Sequence, residues 1–381
     1  MGVLNEFYVA FDNQMAVYYP GQMVRGNVVI DVKESFPVRG IRLEFYGHSY
    51  LHWSEGSDKH RRHYSARETY FKSVVLIYGK LPKDGSQEEE FTVGTHTFPF
   101  QYQLPPVLAC SFEGDIGYVR YSVKAIIDRR WRIDPTSKRA FTIISLLDLN
   151  TVQNVLSGPI SASFRLPRTG YVPGDAIPLY AEIENLSGRR MCKSYIEIIQ
   201  RVHYHATTKT RTIKRQVAMV ARPEIRPGGS DQWNGEVITV PPVPPSFLHG
   251  CNIIDIDYLV QLNVDPAGPA LDLEVALPII IGSIPHQTVF QQQQFTSRPP
   301  AAPVQQPSQD TSHPTRDDLY GPSLSGAPLA PSLPPTSIPN LPPPTYSESV
   351  FGKTSFLDSE DHRETQGDTT FAPRYTYYTW N

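Results

Sequence analysis

Tyr18-Tyr19-Pro20-Gly21-Gln22-Met23-Val24 and Tyr171-Val172-Pro173-Gly174-Asp175-Ala176-Ile177 carry the same punctuation twice. In each, an aromatic residue leads into Pro-Gly, a pair that turns the chain, and the turn opens onto a strand-like run. Moving on from Pro20 and from Pro173 by one constant offset, Leu43-Glu44-Phe45 meets Ile196-Glu197-Ile198. Later, Leu104-Pro105-Pro106 precedes Tyr121, Val123 and Asp128, and Val240-Pro241-Pro242 precedes Tyr258, Val260 and Asp265. Turn, long strand, proline corner and long strand thus recur in the same order. β-Sandwich sequences resemble one another generically, but that likeness does not order the landmarks. A repeat of this kind implies two copies of one structural unit.

The stretches between the landmarks read as β-structure. Phe7 to Phe11, Val24 to Val32 and Ile41 to Phe45 are short runs bounded by Gly and Pro. From Tyr118 to Asp128 the alternation is plainest. Val119, Tyr121, Val123, Ala125 and Ile127 fall on one face, and Arg120, Ser122 and Lys124 on the other. No segment keeps a 3.6-residue period over three turns. The expected fold is therefore all-β, with two tandem antiparallel sandwiches over residues 1–150 and 151–285 and a last strand from Leu271 to Ile281. Residues 286–381 form a Pro/Gln/Ser-rich tail that is expected to be disordered, because such composition buries too little surface to offset ordering entropy.

Composition narrows the function class. Thirty-five Lys and Arg stand against 38 Asp and Glu, so the net charge of −3 gives no signal for nucleic acid. Cys110, Cys192 and Cys251 are widely spaced and form no CxxC pair, so reduced thiols are expected rather than structural zinc or disulfides. The start, Met1-Gly2-Val3-Leu4-Asn5-Glu6, has no basic n-region, so no signal peptide is expected and a cytoplasmic location is. No apolar run approaches the roughly 18 residues that a membrane-spanning helix needs.

No HExxH, GxSxG or GxGxxG string occurs, so no enzyme and no cofactor are expected. Gly352-Lys353-Thr354 has the ending of a phosphate-binding loop, but Ser347 stands where its first glycine belongs. His48, His52, His60 and His63 cluster, yet Lys59, Arg61 and Arg62 among them would repel a cation. A solvated hairpin loop is the expected setting, with no metal.

In the tail, 14 of the 46 residues from Pro299 to Pro344 are proline, so much of the chain's excess proline lies there. This stretch ends in Leu341-Pro342-Pro343-Pro344-Thr345-Tyr346-Ser347-Glu348. Prolines fix φ near the polyproline II value, and a preformed helix loses little entropy on docking. Pro343, Pro344 and Tyr346 have the PPxY spacing that a WW domain reads: one aromatic groove takes the prolines and a neighbouring pocket takes the tyrosine. A second, degenerate candidate is Pro373-Arg374-Tyr375, which lacks the first proline and so one groove contact.

Basic residues form two further groups. Arg120 and Lys124 share a strand face, and Lys209 and Arg211 crowd a strand of the second unit with Lys214 and Arg215. Such groups read acidic or phosphorylated cargo or anionic lipid headgroups. Equally, antiparallel sheets commonly solvate one face with such residues, and both readings stay open.

Tyr19-Pro20-Gly21, Gly117 to Ala125, Tyr171 to Asp175, Gly250-Cys251-Asn252-Ile253-Ile254 and Leu277 to Gly282 resemble arrestin-fold signatures. With the PPxY tail, the chain resembles the alpha-arrestins, or arrestin-domain-containing proteins, over essentially its whole length. The resemblance implies two arrestin-type, immunoglobulin-like sandwiches. It also implies an adaptor that brings WW-domain HECT-type ubiquitin ligases to transmembrane receptors or transporters at the plasma membrane and endosomes. Members usually carry two PPxY motifs, so the degenerate Pro373/Tyr375 site puts avidity from two hooks in doubt. A different class of role is an arrestin-like structural subunit of a sorting coat, which would not need the hook.

Overall fold

Alternation along each strand decides which side chains go inside, and the first sandwich follows it closely. A computed structural model describes residues 3–288 and 344–380, except 58, 82–87, 131, 151–162, 187–189, 268–271, 358–360 and 362–364. The first unit comprises β1 (Leu4–Phe11), β2 (Val17–Tyr18), β3 (Met23–Val32), β4 (Phe36–Val38), β5 (Gly40–Glu55), β6 (Arg62–Gly79), β7 (Glu89–Phe91), β8 (Gly94–Gln103), β9 (Phe112–Glu113), β10 (Gly117–Asp128) and β11 (Thr136–Ile143). One sheet runs β1-β3-β8 and the other β2-β11-β10-β5-β6. Val119, Tyr121, Val123, Ala125 and Ile127 on β10 are all fully buried, as their spacing predicts.

The second unit repeats the two main sheets of the first, with no counterpart of β4, β7 and β9 among the described residues. It comprises β12 (Ser163–Arg165), β13 (Gly170–Tyr171), β14 (Ala176–Glu184), β15 (Met191–His205), β16 (Thr210–Arg222), β17 (Ser230–Thr239), β18 (Ile254–Pro266) and β19 (Leu273–Ile281). Its sheets run β12-β14-β17 and β13-β19-β18-β15-β16. The sequence repeat therefore marks a topological one. β2 joins β11 in parallel, and β13 joins β19 in parallel, inside otherwise antiparallel sheets.

The repeat extends to single hydrogen bonds. Gly21 and Gly174, both at positive φ, donate their backbone N–H to Pro105 O and Val240 O, each at 2.8 Å. Thus each Pro-Gly turn is tied to its own proline corner. Tyr121 and Tyr258 donate their hydroxyls to Ala109 O and Pro244 O, again at 2.8 Å. Ser111 and Ser246 accept from the Ile143 and Ile281 N–H at 2.9 and 3.0 Å. In this way the long central strand, the corner and the last strand of each sandwich hold one another.

Two expectations are corrected. The histidines do not lie in a loop. His48 and His52 are on β5, His63 is on β6, and only His60 is in the turn between them. The hairpin is longer than its polar sequence suggested: β5 and β6 pair from Gly40↔Gly79 to Glu55↔Arg62, across two register shifts. The second correction concerns the tail. Residues 289–343 lie outside the described set, but Pro344–Trp380 belongs to the same compact unit as residues 1–286. This segment contains β20 (Thr345–Glu348), β21 (Thr354–Ser355), β22 (Thr370–Phe371) and β23 (Arg374–Tyr377). Phe356, Phe371, Tyr375 and Tyr378 are all buried, so here the chain does bury enough apolar surface to be ordered.

Candidate functional site

The hook at the end of the proline-rich stretch enters the folded body as a strand. Pro343 lies outside the described residues; Pro344 is half-buried and leads directly into β20. β20 pairs antiparallel with β23 in the register Thr345↔Tyr377, Tyr346↔Thr376, Ser347↔Tyr375 and Glu348↔Arg374. Beyond the ladder, the Thr345 hydroxyl donates to Tyr377 O, and the Ser349 N–H donates to Pro373 O at 2.9 Å. Glu348 faces Arg374 at 3.9 Å and Lys353 at 3.6 Å, both solvent-screened contacts of small worth.

The ring of Tyr346 is half-buried, and its hydroxyl hydrogen-bonds to that of Tyr19, in the first Pro-Gly turn. Burial above all, and that bond next, push the Tyr19 hydroxyl well above its usual range, so it stays a neutral partner.

β23 and the residues after it form a strap anchored in both sandwiches. The Tyr375 hydroxyl donates to Ser111 O at 3.1 Å, on the corner segment of the first unit. The Tyr378 hydroxyl donates to Ser283 O at 2.9 Å, and the Tyr378 N–H donates to Pro173 O at 2.9 Å, both in the second unit. Trp380 stacks on Tyr378 with centroids 5.3 Å apart, and its indole N–H donates to Asp175 Oδ1 at 2.9 Å. Asp175 is itself held by Arg168 at 2.7 Å and by the Val172 N–H at 3.0 Å. Gly174 is required beneath the strap, because a Cβ there would collide with the Tyr378 carbonyl. The strap's Arg374 N–H donates to the Thr142 hydroxyl at 3.2 Å.

Between hook and strap, the tail also covers the outer face of β10 and β11. Asp361 pairs with Lys124 at 2.6 Å and with Lys138 at 2.8 Å, and the Lys138 ammonium lies 5.2 Å from the Phe356 ring centroid. Backbone bonds link Lys138 N–H to Gln366 O at 3.0 Å and Gln366 N–H to Thr136 O at 2.9 Å. This face is therefore not the solvated polar surface that its sequence allowed.

Three of the other predicted contacts, Arg120, Lys124 and Lys209, are engaged within the protein. Arg120 makes a two-pronged pair with the buried Glu113, at 2.6 and 2.8 Å, and lies 3.8 Å from the Tyr118 ring centroid. Lys124 is taken by Asp361. Lys209 pairs with Glu55 across the two sandwiches, and that bond, with the charge of the exposed Arg211 as a lesser cause, lowers the Glu55 pKa. A polar cleft of about 120 Å³ does open beside Lys124, lined among others by Tyr46, Arg67, Lys72 and Lys138. Tyr375, of the degenerate second motif, is 2% exposed, so its ring is not available to a partner in this arrangement.

Sequence reasoning did not reach Tyr19, Asp361, Tyr378 or Trp380. A signal was present: Phe371, Tyr375, Tyr377, Tyr378 and Trp380 crowd the last eleven residues, an aromatic density that disordered segments lack. Among the described residues no His, Cys, Asp or Glu side chains form a metal-holding group of three, and no helix is long and apolar enough to cross a membrane.

Comparison with known proteins gives the same partition. Residues 7–150 match the family model "Arrestin (or S-antigen), N-terminal domain", and residues 156–286 match "Arrestin (or S-antigen), C-terminal domain". The chain is 30% identical to arrestin domain-containing protein 17 of Caenorhabditis elegans, over 99% of each protein. It is 34% identical to human arrestin domain-containing protein 4, over 72% of this chain and 70% of that one. With human arrestin domain-containing protein 1 the identity is 29%, over 94% of this chain and 76% of the other.

Proposed function

The chain belongs to the arrestin family, as an arrestin-domain-containing protein of the alpha-arrestin kind, and from that membership we propose that this adaptor recruits WW-domain HECT-type ubiquitin ligases to membrane-protein cargo. The two-sandwich body finds the cargo, a transmembrane receptor or transporter. The tail hook, Pro343, Pro344 and Tyr346, brings the ligase. Ubiquitination of cargo lysines and endocytosis or endosomal sorting follow, with the protein moving from the cytoplasm to the plasma membrane and endosomes. The role is binding and positioning, and the reading gives no chemistry to this chain's own side chains.

One observation carries the reading: a single chain combines an arrestin-type body with a PPxY hook at the end of a proline-rich segment. For cargo, Arg67 and Lys72 of the cleft beside Lys124, which Glu44 and Asp361 also line, offer cations to an acidic cytoplasmic tail or an anionic membrane surface. Arg120 is not proposed as a direct contact, since Glu113 and Tyr118 engage it.

The test is affinity purification from cells of the intact chain and of Tyr346→Ala. Ligases lost from the variant while membrane proteins persist is the expected result. Identical partner sets would remove the hook and favour the coat-subunit role.

A further inference from the structure

A WW domain and β23 make incompatible demands on Thr345 and Tyr346. The ligand form is a polyproline II segment with its tyrosine ring in the partner's pocket and its backbone open to the groove. In the folded chain Thr345–Glu348 are instead a β-strand with all four positions paired to β23. The Tyr346 ring is half-buried, and its hydroxyl is spent on Tyr19. The hook cannot meet a WW domain without leaving both.

What holds the hook is itself well held. β23 continues into Tyr378 and Trp380, and Tyr375, Tyr378 and Trp380 bind Ser111, Ser283 and Asp175 on two different sandwiches. Gly174, where any side chain would strike the strap, keeps the bed open for it. We propose that the C-terminal strap, Arg374–Trp380, masks the PPxY hook, so that ligase recruitment requires the strap to peel away. This inference rests on the hook reading above and adds its regulation.

The same geometry says how the mask opens. The strap's anchors lie on both units, so a change in how the two sandwiches meet strains Tyr375 against Tyr378 and loosens both. A partner that inserts its own extended aromatic segment into the Ser111–Ser283–Asp175 bed would displace the strap by competition. Either route frees the hook only when the body is engaged. If the open form is a minor population, the apparent affinity of the hook falls by that fraction.

The test compares three molecules binding one purified WW domain from a HECT-type ligase: the full chain, a synthetic peptide of residues 339–350, and a chain truncated after Phe371. The inference expects the full chain to bind about tenfold or more weakly than the peptide, and truncation to restore peptide-like affinity. Tyr377→Pro, which removes the N–H that β23 turns toward Thr345 but leaves Tyr375, Tyr378 and Trp380 in place, should recover part of the loss. Equal affinity of peptide and full chain overturns the mask and leaves the hook reading standing. A peptide that fails to bind overturns the hook reading itself, and with it any need for a mask. That comparison needs no variant, so a truncated chain that fails to fold does not rescue the idea.

Discussion

Single side chains do unequal work at equivalent positions of the repeat. Tyr121 and Tyr258 both tie a central strand to a corner carbonyl, but the Tyr258 hydroxyl also accepts from Gln200 Nε2 at 2.9 Å. Tyr121→Phe leaves one buried carbonyl unpaired, at a cost of about 1 kcal/mol, whereas Tyr258→Phe leaves a carbonyl and an amide, about 2 kcal/mol. Urea unfolding should rank Tyr258→Phe as the weaker protein, and the reverse order would mean that the two corners are not equivalent. Burial also sets the alkaline limit of stability. It pushes the Cys110 thiol and the Tyr18 and Tyr171 hydroxyls each up to about 12, above their unfolded values of about 9 to 10. With folded pKa values raised, this contribution is complete below about pH 9 and is lost as pH rises toward 12. Each group removes up to about 1.4 kcal/mol per pH unit within its window. Thermal midpoints measured at pH 8, 9.5 and 11 should fall with increasing steepness, and a flat profile to pH 11 would contradict these burials. The same thiol should resist alkylation at pH 8 in the native chain, read by peptide mass mapping, because the thiolate is the nucleophile.

At the scale of elements, the sandwiches were legible in the sequence and the tail was not. Alternation on β10 placed five residues inside; the spacing from each Pro-Gly turn placed β5 against β15, and the proline corner before each strand placed β10 against β18, as equivalent strands. Those signals are local and periodic, so a strand carries them whatever its surroundings. The tail elements are two to four residues long, too short for any period. Their order comes from rings set into a distant surface, and averaging them with the proline-rich run before them concealed that. The polar face of β10 stayed open to two readings for the same reason: Lys124 looks solvated until Asp361, 237 residues away, is laid across it and across Lys138 on β11. That carboxylate faces two ammonium groups, with Lys138 and Asp361 only 5% and 3% exposed. Asp361→Asn would leave both cations facing a neutral group, a loss of about 3 kcal/mol falling on tail docking rather than on the body. Trypsin should then cut at Lys353 and Arg374 much faster, while the unfolding midpoint of the body moves little. A large drop in that midpoint would mean that the tail is integral to the first core.

For the molecule as a whole, the question is what makes two similar sandwiches behave as one. Charged bridges cross between them, Arg215 to Asp115 and Lys209 to Glu55, and the Asn252 N–H donates to Glu68 at 3.0 Å. These side chains are about one-third to nearly half exposed, so solvent screens both ion pairs and they contribute little. Tyr204 on β15 is different. It is 1% exposed, its ring lies against Gly117, and its hydroxyl accepts from the Asp115 and Ile116 backbone. Gly114 and Gly117 stand where side chains would push it out. Tyr204→Ala should therefore cost about 3–5 kcal/mol and split calorimetric unfolding into two transitions. Arg215→Ala should keep the transition single. The strap is a second staple, since Tyr375 holds the first unit and Tyr378 the second. Two staples on one interface are not independent, so truncation after Phe371 combined with Tyr204→Ala should be non-additive. Once either staple is gone the other has less to hold, and the double variant should lose less than the two single losses together. Strict additivity would mean that the strap senses nothing of the interface. It would then still cover the hook, but binding at the body could not uncover it by shifting the sandwiches, which would leave displacement by a competing peptide as the route.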